Sequence, residues 1–224
     1  MPKLNWIGKE KVVCHHQDVP YKILEHKYGF TEDGEQKLKT NSGNKIIHGD
    51  NLEGLKSLLP EYEGEIKCIY IDPPYNTGKE GWVYNDSVNH PKILKWLGEV
   101  VGKEGEDFTR HDKWLCMMYP RIKLLHKLLK EDGIIVIHID ENEYHNLLIL
   151  FEEIFGKKNN LGTIIWDKKN AKGDSKKISY QHESIIVFSK NAELVKGKVK
   201  RKKKNAKKII EFSKKVFAKI GKES

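Results

Sequence analysis

Apolar residues fall in five short runs along this chain. Lys45-Ile46-Ile47-His48-Gly49-Asp50, Ile66 to Ile71 (IKCIYI) followed by Asp72, Gly133 to Asp140 (GIIVIHID), and Thr163-Ile164-Ile165-Trp166-Asp167 each terminate in an acid. A fifth, Glu183 to Ser189 (ESIIVFS), does not. Their β-branched and aromatic content, and a length of five to eight residues, predict buried strands. Helical spacing fills the intervals. Leu52, Leu55, Leu58 and Leu59 predict a helix that Pro60 closes, and Trp114 to Lys130 predicts a second that Pro120 kinks or splits. Leu147, Leu148, Phe151, Ile154 and Phe155 form one face of a third, ended by Gly156. Strands alternating with helices predict an α/β domain with a mostly parallel sheet.

Asp72-Pro73-Pro74-Tyr75 is the feature with most chemical content. No helix or ladder continues through two prolines, so the chain leaves the sheet in a stiff turn. An acid, a free carbonyl and an aromatic ring are then held at the strand's carboxyl edge, where open α/β sheets put their ligands. An acceptor beside a flat apolar ring suits a planar base carrying an amino group. Asp50 and Asp140 occupy the same kind of position. N-capping of the following helix explains both, and a capping acid also stands at the ligand edge.

The net charge of +9 is concentrated in a tail. Residues 190–224 hold 14 Lys/Arg against three Glu, while the remaining residues carry 27 basic and 29 acidic. The densest part, Lys198 to Lys204, contains Lys200 and Arg201, which are candidate phosphate contacts or the wet surface of a solvated segment. Downstream, Ile209, Phe212, Val216 and Ile220 form an amphipathic stripe. The domain expectation is an N-terminal arm over 1–41, an α/β domain over 42–190, and a basic tail with an amphipathic helix over 191–224. The stretch 76–112 has little periodicity, and Trp82, Tyr84 and Trp96 stand in it among polar residues. A connection this long inside a domain is usually functional.

Three scattered cysteines suit a reduced, cytoplasmic protein without a disulfide framework. Cys14-His15-His16 is not expected to bind metal, because adjacent strand residues point apart and no second ligand pair stands at metal spacing. No apolar stretch approaches 18 residues, so no membrane partner is expected.

Asp72-Pro73-Pro74-Tyr75-Asn76-Thr77-Gly78 resembles the catalytic motif of amino-directed DNA methyltransferases, and its longer form is similar to the modification subunits of type III restriction–modification systems. Asn5 to Lys9, Ile46 to Leu52, Arg110 to Leu115, Tyr119 to Arg121 and His182-Glu183 also look like that subfamily's text, so the resemblance covers about residues 1–191. It implies a Rossmann-like methyltransferase sheet, S-adenosylmethionine as methyl donor, and double-stranded DNA with a flipped adenine as substrate. In that reading Asp72 and the Pro73 carbonyl, stiffened by Pro74, accept from the N6 amino group. Tyr75 stacks on the base, Asn76, Lys200 and Arg201 contact substrate, and Asp50 lies near the cofactor. The N4 amino group of cytosine is the alternative target, and a non-catalytic DNA-binding remnant is the alternative class. The family is permuted, with a recognition region and a Phe-x-Gly-x-Gly cofactor turn after the catalytic strand, and this chain contains no Gly-x-Gly. The expectation is therefore an incomplete sheet from a truncated or split gene product. Such a chain is poorly active alone and is restored by a second chain carrying the missing half, with a restriction subunit as a further partner.

Overall fold

The computed structural model describes residues 3–77, 107–169 and 180–195, with side chains in the second stretch from residue 110 onward. The chain divides into two units, Met1–Leu194 and Val195–Ser224. The elements of the first unit in order are α1 (Lys9–Val12), α2 (His15–Asp18), a small hairpin of β1 (Gly29–Thr31) and β2 (Gly34–Gln36), α3 (Asn51–Tyr62), β3 (Ile66–Ile71), α4 (Asp107–Leu128), β4 (Leu129–Ile139), α5 (Tyr144–Phe155), β5 (Asn160–Asp167) and β6 (His182–Ser189).

β3, β4, β6 and β5 form a four-stranded sheet in that order. β3 and β4 are parallel, and β6 runs antiparallel to both β4 and β5. Three strands therefore point one way, with β6 alone reversed, as in an α/β sheet carrying a returning strand. The carboxyl ends of β3, β4 and β5 and the start of β6 all lie at one edge.

Alternation along β4 buries Ile135, Ile137 and Ile139 completely, and Ile186 and Phe188 of β6 join them on that face. α4 is the central helix, against which α1, α2, α3 and α5 all pack. Its Trp114, Ile122 and Leu124 are fully buried, as are Leu147, Leu150 and Phe151 of α5. At about 25 cal/mol per Å² of apolar surface removed from water, this one cluster is the main source of stability. Residues 4–19 join it, because Val12 and Val19 are buried, Leu4 and Trp6 pack alongside, and Lys9 pairs with Glu153 at 2.7 Å. The opposite face of the sheet is open among the described residues. Tyr70 is 59% exposed, Ile164 57% and Trp166 56%.

The first apolar run corrects an expectation. Residues 45–50 form no strand, and Ile46 stands 76% exposed. A ladder needs a neighbour to satisfy its N–H and C=O groups, and no described strand pairs with this segment. The prolines correct two more. α3 continues past Pro60 to Tyr62, and α4 runs unbroken through Pro120. Pro60 lies in the last turn of α3, where few further bonds remain to be lost, and Pro120 forfeits only the one bond its missing N–H would make to the Cys116 carbonyl while the helix continues on both sides. Leu129 and Lys130 belong to β4 rather than to the helix. His15 and His16 are helical rather than extended, with Cys14 as the N-cap before them and both imidazoles buried. Among the described residues no group of three or more His, Cys, Asp or Glu is placed to hold a metal ion, and no helix is long and apolar enough to cross a membrane.

Burial, reinforced by neighbouring lysines, lowers the pKa of His16 and of His126 to about 4. A folded-state value below the unfolded 6.5 means that the unfolded chain takes up protons first as pH falls. The stability these neutral rings contribute is present above pH 6.5 and is lost as pH falls through about 4. The urea midpoint should decline across that window, and ring-proton NMR at pH 5 should find both imidazoles neutral. A charged ring at either position at pH 5 would contradict the assignment.

Candidate active site

β3 delivers Asp72 to the carboxyl edge of the sheet, next to β4. The two prolines that follow fix their own φ and favour extended backbone before them, so the exit from the strand is stiff. Asp72 is exposed, Pro73, Pro74 and Tyr75 are half-buried, and Asn76 is buried. The indole Nε1 of Trp114 donates to the Pro74 carbonyl at 2.7 Å. Among the described residues nothing donates to the Pro73 carbonyl. The turn thus presents one carbonyl with no described donor and one exposed carboxylate whose described partner is the Tyr75 phenol, while its other carbonyl is anchored to the core.

Tyr75 lies beside them. Burial first, then a hydrogen bond with the Asp72 carboxylate, holds its phenol well above the ordinary tyrosine range. Its ring centroid is 6.2 Å from that of His138 on β4. His138 Nε2 sits 2.9 Å from Glu183 Oε2, close as an ion pair but without hydrogen-bond alignment, and Lys168 Nζ reaches Glu183 Oε1 at 3.0 Å. Glu183 is the second residue of β6, which runs back along β4, so this charged cluster shares the edge with Asp72.

Asn76 adopts the left-handed region, φ 59°, which few residues other than glycine and asparagine tolerate. Its carboxamide donates to Glu143 and, at 3.3 Å, to the Arg110 carbonyl. Glu143 is completely buried. It also accepts from His111 Nδ1 at 2.7 Å and from Asn146 Nδ2 at 2.8 Å.

Asp50 is the N-cap of α3, its Oδ1 accepting from Leu52 N at 2.9 Å and Glu53 N at 3.0 Å. Its other oxygen takes no hydrogen bond from a described residue. Asp140 does not cap a helix. Its oxygens accept from the backbone and side chain of Asn142, closing the turn before α5, and burial raises its pKa despite those bonds.

The structure therefore groups Asp72, Pro73, Pro74, Tyr75 and Asn76, with Asp50 on a separate segment. Lys200, Arg201, the tail helix, Trp82, Tyr84 and Trp96 lie outside the described residues. Sequence reasoning assigned no role to Glu143, His111, His138 or Lys168, and none individually to Trp114 or Glu183. The one sequence signal for Glu143 is its place in the acidic run 140–143 directly after a strand.

Residues 66–221 match the DNA methylase family of N6/N4 type. The modification subunit of the type III restriction–modification enzyme EcoP15I of Escherichia coli is 40% identical over 200 residues, which cover 85% of this chain and 30% of that protein. The EcoPI modification subunit of Escherichia phage P1 is 38% identical over 207 residues, covering 85% of this chain and 31% of its own length. This chain thus spans about a third of the length of these curated relatives. Among solved structures, a DNA modification methylase of Thermus thermophilus, TTHA0409, is 17% identical with a TM-score of 0.39, over 69% of this chain and 57% of that one. A complex of M1.HpyAVI with S-adenosylmethionine gives 16% and 0.38, over 66% and 56%.

Proposed function

Because this chain belongs to the DNA methylase family, we propose that it is the catalytic segment of an adenine-N6 DNA methyltransferase of a type III restriction–modification system. The observation carrying this reading is the pair of acceptors at the sheet edge, the exposed Asp72 carboxylate beside the Tyr75 phenol and the Pro73 carbonyl, on a turn braced by Trp114.

An exocyclic amine on adenine is a weak nucleophile, since its lone pair is delocalised into the ring. Acceptors placed on its two hydrogens draw the nitrogen toward tetrahedral geometry and localise that pair. Asp72 supplies a charged acceptor and Pro73 a neutral one. Both act by preorganised electrostatics, which avoids reorganisation during the reaction. When bound, S-adenosylmethionine would supply an electrophilic methyl on a sulfonium; the amino nitrogen would take that methyl, a neutral thioether would leave, and the amino proton would pass to solvent.

The chain's own residues suit that donor in part. Asp50 commits one oxygen to the helix cap and keeps the other for a hydroxyl or ammonium group, and the face beside β3 offers the exposed ring of Tyr70. The target atom is inaccessible inside a duplex, so the base must be extruded at a cost of a few kcal/mol. Tyr75 offsets that cost by stacking, with Asn76 close behind it. Lys200 and Arg201 contribute phosphate contacts. The remaining partners in this reading are a restriction subunit and chains supplying the recognition region. Four relatives that are 35–40% identical carry type III modification names, which favours adenine over cytosine.

Tyr75 offers a direct test. Tyr75→Ala removes the stacking face, worth about 1–3 kcal/mol per base, and should slow methyl transfer by roughly five- to a hundredfold. Tyr75→Phe keeps the ring and releases Asp72 from the phenol, so it should stay within a few-fold of wild type. The comparison is made by labelled-methyl incorporation, using protein isolated with the chains that co-purify with it. Equal rates for the two variants would overturn the stacking role.

A further inference from the structure

We infer that Glu143 is a positioning residue that holds the exit of the catalytic turn through the Asn76 carboxamide, an inference that rests on the function proposed above. Three observations converge on it. Glu143 has no exposed surface, yet it is a carboxylate, and a buried charge persists only where donors surround it. Its donors come from three separate parts of the chain: Asn76 directly after the turn, His111 near the start of α4, and Asn146 in the first turn of α5. Asn76 also reaches the Arg110 carbonyl, so both ends of the connection between β3 and α4 meet at one buried group.

The backbone explains why the tie matters. Asn76 lies in the left-handed region, a conformation that is strained for a residue with a Cβ and persists only when its surroundings enforce it. The Glu143 bond enforces it. Trp114 holds the Pro74 carbonyl two residues earlier, so Tyr75 is fixed between two anchored neighbours. Asn76 thus acts on the chemistry through the backbone of Tyr75 and the acceptors before it.

Two substitutions separate the tie from the backbone shape. Asn76→Gly keeps a residue at ease in the left-handed region and removes only the carboxamide. Glu143→Gln keeps the side-chain volume and one acceptor, and turns a new NH₂ group toward other donors. Hydrogen exchange at the amides of Tyr75 and Asn76 should speed up at least tenfold in each variant. The double variant should be no faster than the faster single one, because both changes cut the same link. In labelled-methyl assays kcat should fall tenfold or more while the KM for the donor stays within twofold. Wild-type exchange rates in Asn76→Gly, additive effects in the double variant, or a change confined to the KM for DNA would each overturn the inference. If Glu143→Gln does not fold, Asn76→Gly decides alone. If the wild-type protein transfers no methyl group at all, the proposed function fails while the exchange measurement still judges the tie.

Discussion

Asp72→Ala should slow methyl transfer by about a hundred- to a thousandfold, equivalent to roughly 3–4 kcal/mol of transition-state stabilisation. Asp72 is exposed at the end of β3, and its side chain supports none of the core. Thermal stability should therefore stay close to wild type while the rate collapses. That separation identifies a group acting on the reaction rather than on the fold. Asp72→Asn keeps a carbonyl acceptor but loses the charge and brings an NH₂ group toward the amine, so it should retain more activity than alanine and less than aspartate. In either variant the Tyr75 phenol loses its carboxylate partner, and its pKa should move back toward the ordinary range, leaving burial as the main remaining cause of the shift.

The second large effect belongs to Trp114. This indole is completely buried in α4 and donates to the Pro74 carbonyl. Trp114→Ala removes its volume from the core and should cost about 3–5 kcal/mol of stability. In a domain of ordinary marginal stability that is a large fraction of the total. Trp114→Phe keeps most of the packing and leaves the carbonyl without its donor, a loss of about 1–3 kcal/mol. The phenylalanine variant is therefore the informative one: urea unfolding should report a modest decrease, whereas methyl transfer should fall further than stability alone explains. A variant that loses stability but keeps full activity per folded molecule would show that the indole only fills space.

Much of the frame was legible because local patterns determine it. The β3 run and its proline exit, the cap at Asp50 and the stop at Gly156 are written in adjacent residues, and the structure places each where the pattern requires. What failed depended on partners. Residues 45–50 have the composition of a buried strand, but no described strand lies beside them to complete a ladder. Pro60 and Pro120 signal breaks, yet one sits where α3 is ending and the other costs a single bond in the middle of a long, core-packed helix. The site divides in the same way. Asp72 to Tyr75 announce themselves, whereas Trp114 lies 40 residues from the carbonyl it holds and Glu143 lies 67 from Asn76. No local spacing connects such pairs; only the packing of α4 and α5 beside the sheet edge brings them together.

The open sheet face carries a related lesson. Tyr70, Ile164 and Trp166 belong to strands whose composition predicts burial on both sides, but among the described residues their face is uncovered, and on β5 Ile165 of the other face is exposed as well. Four of the five hydrophobic runs thus became strands, while their pattern left the environment of those strands undetermined.

The most direct measurement is nucleoside analysis of DNA from cells carrying the gene at its own locus, either intact or with Asp72→Ala. The account predicts N6-methyladenine with the intact gene and its loss in the variant. N6-methyladenine undiminished in Asp72→Ala, or a methyl group found on cytosine N4 instead, would contradict it.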